Sequence, residues 1–123
     1  MQNNEKAGLP SILEQIVELR KKDLAAKGFS FGYNVPAKRT KPVVPFFPQN
    51  GVILEIKRAS PSKGMIAPDL NAVEQAKVYK NAGAAAISIL TEENYFKGSL
   101  EDLQNVAAAV PDIALLRKDF LLE

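Results

Sequence analysis

The sequence predicts an α/β protein with parallel strands, and three observations predict it. An apolar, strand-like run followed by a loop and an amphipathic helix recurs along residues 52–123. The repeat is about thirty residues long, the length of a βα unit. Each apolar run ends in polar residues at its C-terminal side, where parallel α/β folds bind ligands.

At 123 residues the chain has room for one ordinary domain. Apolar residues make up 46% and charged residues 24%, the balance of a globular protein. The apolar runs are far shorter than a bilayer span, and no charged-then-apolar leader opens the chain. The expectation is a cytoplasmic protein without membrane contact. Cysteine and histidine are both absent, which removes disulfides, thiolate chemistry and the commonest metal ligand. Acid–base work therefore falls to Lys, Glu, Asp or Tyr, and a metal-free site is expected. A net charge of +2 is too small to argue for nucleic acid.

Residues 1–10 are polar and aperiodic, a flexible N-terminus. Ser11-x-x-Glu14 then forms a capping-box pattern. Ile12, Leu13, Ile16, Val17, Leu19 and Leu24 follow at helical spacing, with Gly28 as the stop. Arg20-Lys21-Lys22 on this helix reads as a solvated face. Residues 29–51 carry Pro36, Pro42, Pro45 and Pro48, which forbid a helix. Phe29, Phe31, Tyr33, Phe46 and Phe47 need something to pack on, so residues 11–51 read as a helix and an extended segment laid over the main body. Lys38-Arg39-Thr40-Lys41 reads as an exposed loop.

The first strand is expected over residues 52–57, and it opens into Arg58-Ala59-Ser60-Pro61-Ser62-Lys63-Gly64, a Ser/Pro/Gly loop. Ile53, Glu55 and Lys57 share one face by strand alternation. Opposite charges on a buried strand are costly unless paired or used. From the spacing alone, an ion pair capping the strand accounts for them as well as a ligand site does. The first helix of the repeat is placed over residues 71–82, with Asn71-x-x-Glu74 at its start, Gly83 at its end, and Ala72, Val73, Ala76, Tyr79 and Ala82 inward. The second strand runs over residues 85–90 into Thr91 and Glu92. Ser99-x-x-Asp102 starts the next helix, with Leu100, Leu103, Val106, Ala107 and Val110 inward, and Pro111 stops it. The third strand covers residues 113–116 and leads into Arg117-Lys118-Asp119-Phe120. Strands joined by single helices must run parallel, with right-handed crossovers.

Polar residues thus collect at one end of all three strands: Glu55 and Lys57, Thr91 and Glu92, and Lys118. That coincidence favours a site over a chance ion pair. Three strands and two helices leave sheet edges open, and a (β/α)₈ (TIM) barrel needs about 250 residues. Residues 52–123 therefore read as the first portion of such a barrel, preceded by an N-terminal extension helix.

These motifs resemble the indole-3-glycerol phosphate synthases of tryptophan biosynthesis. The stretch from Val52 to Gly64 is similar to that family's first strand and loop. Ala86-Ile87-Ser88-Ile89-Leu90-Thr91-Glu92, with Tyr95-Phe96-Lys97-Gly98-Ser99, is similar to its second, and Leu116-Arg117-Lys118-Asp119-Phe120 to its third. The resemblance runs from about Ser11 onward and implies that the N-terminal helix folds over the barrel mouth. It implies closure of the indole ring of 1-(2-carboxyphenylamino)-1-deoxyribulose 5-phosphate, with loss of carbon dioxide and water and without cofactor. It also implies roles. Lys118 matches the general acid, a task that suits a lysine whose pKa burial has lowered. Glu55 matches the carboxylate lining the same mouth, near enough to orient or assist proton transfer at the later dehydration. Lys57 matches a substrate contact and second acid. Ser60 and Pro61 match the loop beside the anthranilate moiety, and Phe96 and Phe120 the apolar walls.

The family's further catalytic residues and its phosphate-binding loops belong to later strands, so residues 1–123 alone are expected to be inactive. The partner implied is a small phosphorylated substrate, with self-association or a complementary C-terminal half-barrel as ways of covering the open edges. The other readings are a non-catalytic half-barrel and a different phosphate-binding barrel enzyme.

Overall fold

The computed structural model describes residues 11–46 and 50–122, so the expectations for residues 1–10 and for Phe47 and Pro48 lie outside the described residues. The described residues fall into two compact units, residues 11–40 with 120–122, and residues 41–46 with 50–119.

In the first unit, helix α1 (Ile12–Lys27) begins at the predicted capping box. Glu14 N–H donates to Ser11 Oγ and Ser11 N–H to Glu14 Oε2, each at 3.1 Å. Gly28 ends the helix at φ 76°, a left-handed value that glycine tolerates best. The basic segment departs from expectation. Lys21 and Lys22 are exposed, but Arg20 is buried. Its guanidinium carbon sits 4.7 Å from the centre of the Phe31 ring, with Lys27 Nζ 5.5 Å from the same ring. An aromatic face attracts cations and lets the arginine stem be buried with its charge accommodated. Ile12, Leu13 and Phe29 are exposed, so the inward stripe is narrower than the periodicity suggested, and Phe29 lacks the packing expected of it.

The second unit is built on a parallel sheet of three strands in the order β1 (Ile53–Ile56), β4 (Ala86–Leu90), β5 (Ala114–Lys118). Between β1 and β4 come β2 (Ala59–Ser60), β3 (Gly64–Met65) and helix α2 (Ala72–Asn81). Helix α3 (Leu100–Ala109) joins β4 to β5. The predicted Ser/Pro/Gly loop therefore contains a short antiparallel hairpin, with Ala59 opposite Met65 and Ser60 opposite Gly64. The third strand begins and ends later than expected, which puts Lys118 inside it. Lys57 lies just beyond β1.

Both helices start where short polar side chains can accept an amide proton. Asn71 Oδ1 accepts from Glu74 N–H at 3.0 Å, and Ser99 Oγ from Asp102 N–H at 3.0 Å. One face of the sheet carries Ile56, Ile87 and Ile89, which form the core with Ala72 and Ala76 of α2, Val106 of α3 and Val110. Burying each isoleucine contributes roughly 1.5–3 kcal/mol. Ala82, expected inward, is exposed at the end of α2, where the helix has already stopped. The opposite face carries Ile53 and Glu55 of β1, Ala86, Ser88 and Leu90 of β4, and Ala114, Leu116 and Lys118 of β5, as the parallel register requires.

Candidate active site

Three of the predicted site residues are brought into direct contact. Lys118 Nζ donates to Glu55 Oε2 at 2.9 Å. Lys57 Nζ lies 3.8 Å from the other oxygen, Glu55 Oε1. One carboxylate thus bridges two ammonium groups, one at the end of β5 and one just past β1. The register explains the meeting: Glu55 pairs with Ser88, and Leu90 with Lys118, so all four side chains leave the same face of neighbouring strands. Lys118 is 55% exposed and Glu55 29%.

Glu55 is held at two further points. Ser88 Oγ donates to Glu55 Oε2 at 3.2 Å, and Tyr79 Oη of α2 donates to the Glu55 carbonyl at 2.7 Å. Sequence reasoning missed both. The signal for Ser88 was present, because it is the one hydroxyl in an otherwise apolar strand and has the parity of Glu55.

The other predicted residues lie in the connections. Ser60 is buried in the hairpin, where its Oγ accepts from Lys63 N–H at 3.2 Å, and Pro61 follows it, half-buried. Phe96 is half-buried in the loop after β4, and Phe120 is half-buried in the first unit.

Thr91 and Glu92, expected on the charged rim, do other work. Glu92 is buried, and its carboxylate accepts from Asn94 N–H and Tyr95 N–H at 2.7 Å and Phe96 N–H at 2.9 Å. It shapes the loop that carries Phe96. Thr91 has the opposite strand parity to Lys118. Its hydroxyl donates to Asp119 Oδ2 at 2.7 Å, its N–H donates to the Lys118 carbonyl at 3.0 Å, and Arg117 Nε donates to its Oγ1 at 3.3 Å. Residues 117 and 119 are tied together on one face, and Lys118 between them leaves from the other.

Arg58 is a third residue that sequence reasoning passed over. Both terminal nitrogens bind the Asp102 carboxylate, Nη2 to Oδ1 at 3.1 Å and Nη1 to Oδ2. Nε donates to the Leu70 carbonyl at 3.2 Å and Nη1 to the Lys97 carbonyl at 3.3 Å. The hydrogen bond to Asp102 holds the guanidinium pKa above its ordinary value. This side chain fastens the end of β1 to the start of α3. A groove of about 350 Å³ beside it is lined by Asp69, Asn71, Glu74 and Asn105 among others. Among the described residues no group of three or more His, Cys, Asp or Glu is placed to hold a metal ion, and no helix is long and apolar enough to cross a membrane.

Parallel strands joined by helices, with two lysines and a carboxylate converging at their carboxyl ends, define an α/β protein with groups able to give and take protons at the end where such folds bind ligands. Residues 13–123 match the family model described as indole-3-glycerol phosphate synthase. A relative of that name from Geobacillus thermodenitrificans is 42% identical over 114 residues, 91% of this chain and 44% of the relative. Others of that name, from Oceanobacillus iheyensis and Aquifex aeolicus, are 58% and 61% identical over 72 and 69 residues, covering 27% and 26% of their own lengths. The chain belongs to the indole-3-glycerol phosphate synthase family. It spans less than half the length of these curated relatives.

Proposed function

We propose that the chain carries part of the acid–base rim of an indole-3-glycerol phosphate synthase, a carboxy-lyase of tryptophan biosynthesis acting in the cytoplasm. The substrate is 1-(2-carboxyphenylamino)-1-deoxyribulose 5-phosphate, and the three parallel strands are the first of a (β/α)₈ barrel. The observation that supports this reading best is the contact of Glu55 with both Lys118 and Lys57. Ring closure needs a stronger electrophile at the substrate ketone while the aromatic carbon attacks it. The Lys118 ammonium donates a proton to the ketone oxygen as that bond forms. Glu55 orients this ammonium and, at the later dehydration, takes up a proton. Lys57, on its other oxygen, contacts substrate and serves as the acid when water leaves. The family resemblance supports Ser60 and Pro61 as the loop that contacts the anthranilate ring and Phe96 as an apolar wall.

The test is ring closure by a chain of the relatives' length that contains this sequence, with and without Lys118→Ala. Turnover is expected to fall by about 10²–10⁴-fold, the range for a lost general acid. Near-intact turnover in the variant would remove Lys118 as proton donor.

A further inference from the structure

Ser88 sits at 4% exposure between Ile87 and Ile89, directly opposite Glu55 in the register of β1 and Leu116 in that of β5. A buried hydroxyl needs a partner. Leu116 offers no polar side-chain atom, and an ionised carboxylate only accepts, so the hydroxyl proton is directed at Glu55 Oε2, 3.2 Å away. That oxygen is also the acceptor for Lys118 at 2.9 Å. Two donors from two different strands therefore converge on Oε2, and Oε1 is turned toward Lys57 at 3.8 Å.

We propose that Ser88 is a positioning residue that sets the Glu55 carboxylate in the one orientation that engages Lys118 and Lys57 together. A glutamate has three rotatable side-chain bonds, and one exposed lysine is a weak restraint on them. A fixed hydroxyl on a buried central strand is a firm one. Lys118 and Lys57 are the charged groups facing Glu55 from the neighbouring segments. The consequence for turnover rests on the lyase reading, but the orientation of Glu55 does not.

The test is therefore made on this chain by lysine-ammonium NMR. It follows the Lys118 ¹⁵N signal and its coupling through the hydrogen bond to the Glu55 carboxyl carbon. Ser88→Thr and Ser88→Val are nearly isosteric and differ in hydroxyl against methyl. Ser88→Thr is expected to keep the coupling and Ser88→Val to lose it, with Ile87 and Ile89 amides equally protected from exchange in both. Should the branched side chains not fit, Ser88→Ala reads the same loss without added volume. Lys118 signals that are equal with and without the hydroxyl would overturn the proposal. In a catalytically competent chain, Ser88→Ala is expected to lower kcat about tenfold at constant KM, the scale of one lost hydrogen bond to a charged group. Absence of turnover in a parent chain of the relatives' length would count against the lyase reading alone, because the NMR comparison still decides the role of Ser88.

Discussion

Lys118 and Glu55 lie 63 residues apart in the chain and meet at 2.9 Å on one face of the sheet. The strand between them, β4, contributes a hydroxyl to the same carboxylate rather than a third charge. Such a pair, with the lysine more than half exposed, contributes little to folding; solvent screening leaves about 0.2–1 kcal/mol. On the proposed lyase reading, its placement at the carboxyl end of β5 serves the chemistry rather than the fold.

That division yields a first prediction. Lys118→Ala and Glu55→Gln are each expected to unfold in urea within about 1 kcal/mol of the parent chain. Glu55→Gln retains an oxygen that accepts from Ser88. A loss well beyond that range in both variants would make the pair a structural clamp.

The Arg58–Asp102 pair is the opposite case. Its side chains are only 18% and 15% exposed, and Arg58 also satisfies two loop carbonyls. Removing either partner leaves a poorly solvated charge. Arg58→Ala and Asp102→Ala are each expected to cost about 2–4 kcal/mol, and the double variant less than their sum. Arg58→Lys should rescue little, because an ammonium cannot reproduce the guanidinium fork. A thermodynamic cycle by urea unfolding measures the coupling directly.

These two pairs also mark what was legible in the sequence. The starts of all three helices were readable because Ser11, Asn71 and Ser99 cap amides only three residues away. The strand order followed from the βα repeat, and the convergence of Glu55, Lys57 and Lys118 from their common end. Long-range partners were not readable. Ser99-x-x-Asp102 marked a helix start, but nothing local showed that Asp102 turns its carboxylate to Arg58, 44 residues earlier. Glu92 looked like a rim carboxylate because its acceptors are consumed by backbone amides, which carry no side-chain signature. Thr91 was misplaced for a simpler reason: strand parity sends it to the face opposite Lys118.

A pH dependence follows from Asp112 at the turn before β5. The hydrogen bond from Lys80, at 3.0 Å, is the main cause that holds its carboxyl below the ordinary value of 3.8. A carboxyl depressed in the folded state adds stability above its unfolded pKa, and that contribution is lost as pH falls through the folded value. Because Asp112 is exposed, the effect on unfolding is small, and the carboxyl itself is the better reporter. Its ¹³C titration is expected to move upward in Lys80→Ala. An unchanged midpoint would mean that the backbone, rather than Lys80, holds the charge.

The sharpest steric prediction concerns Gly98, in the loop after β4. Its N–H donates to the Glu92 carbonyl at 2.9 Å, closing the turn that Glu92 also holds through its side chain. A Cβ on Gly98 would fall 2.6 Å from the Leu90 carbonyl carbon and closer still to its oxygen. Those atoms are backbone of the central strand and cannot swing aside as a flexible side chain would. Gly98→Ala must therefore push the loop off β4, at a cost of about 1–3 kcal/mol or more. Gly64→Ala is the control. Its φ of 63° strains an alanine, but no atom lies within 4 Å of the new Cβ, so about 1 kcal/mol is expected from backbone strain alone. Urea unfolding separates the two variants, and amide exchange locates the damage. In Gly98→Ala, protection should be lost at Tyr95 and Phe96 while Ile87 and Ile89 keep theirs. Loss spread evenly through the sheet would mean that the loop and β4 unfold as one unit.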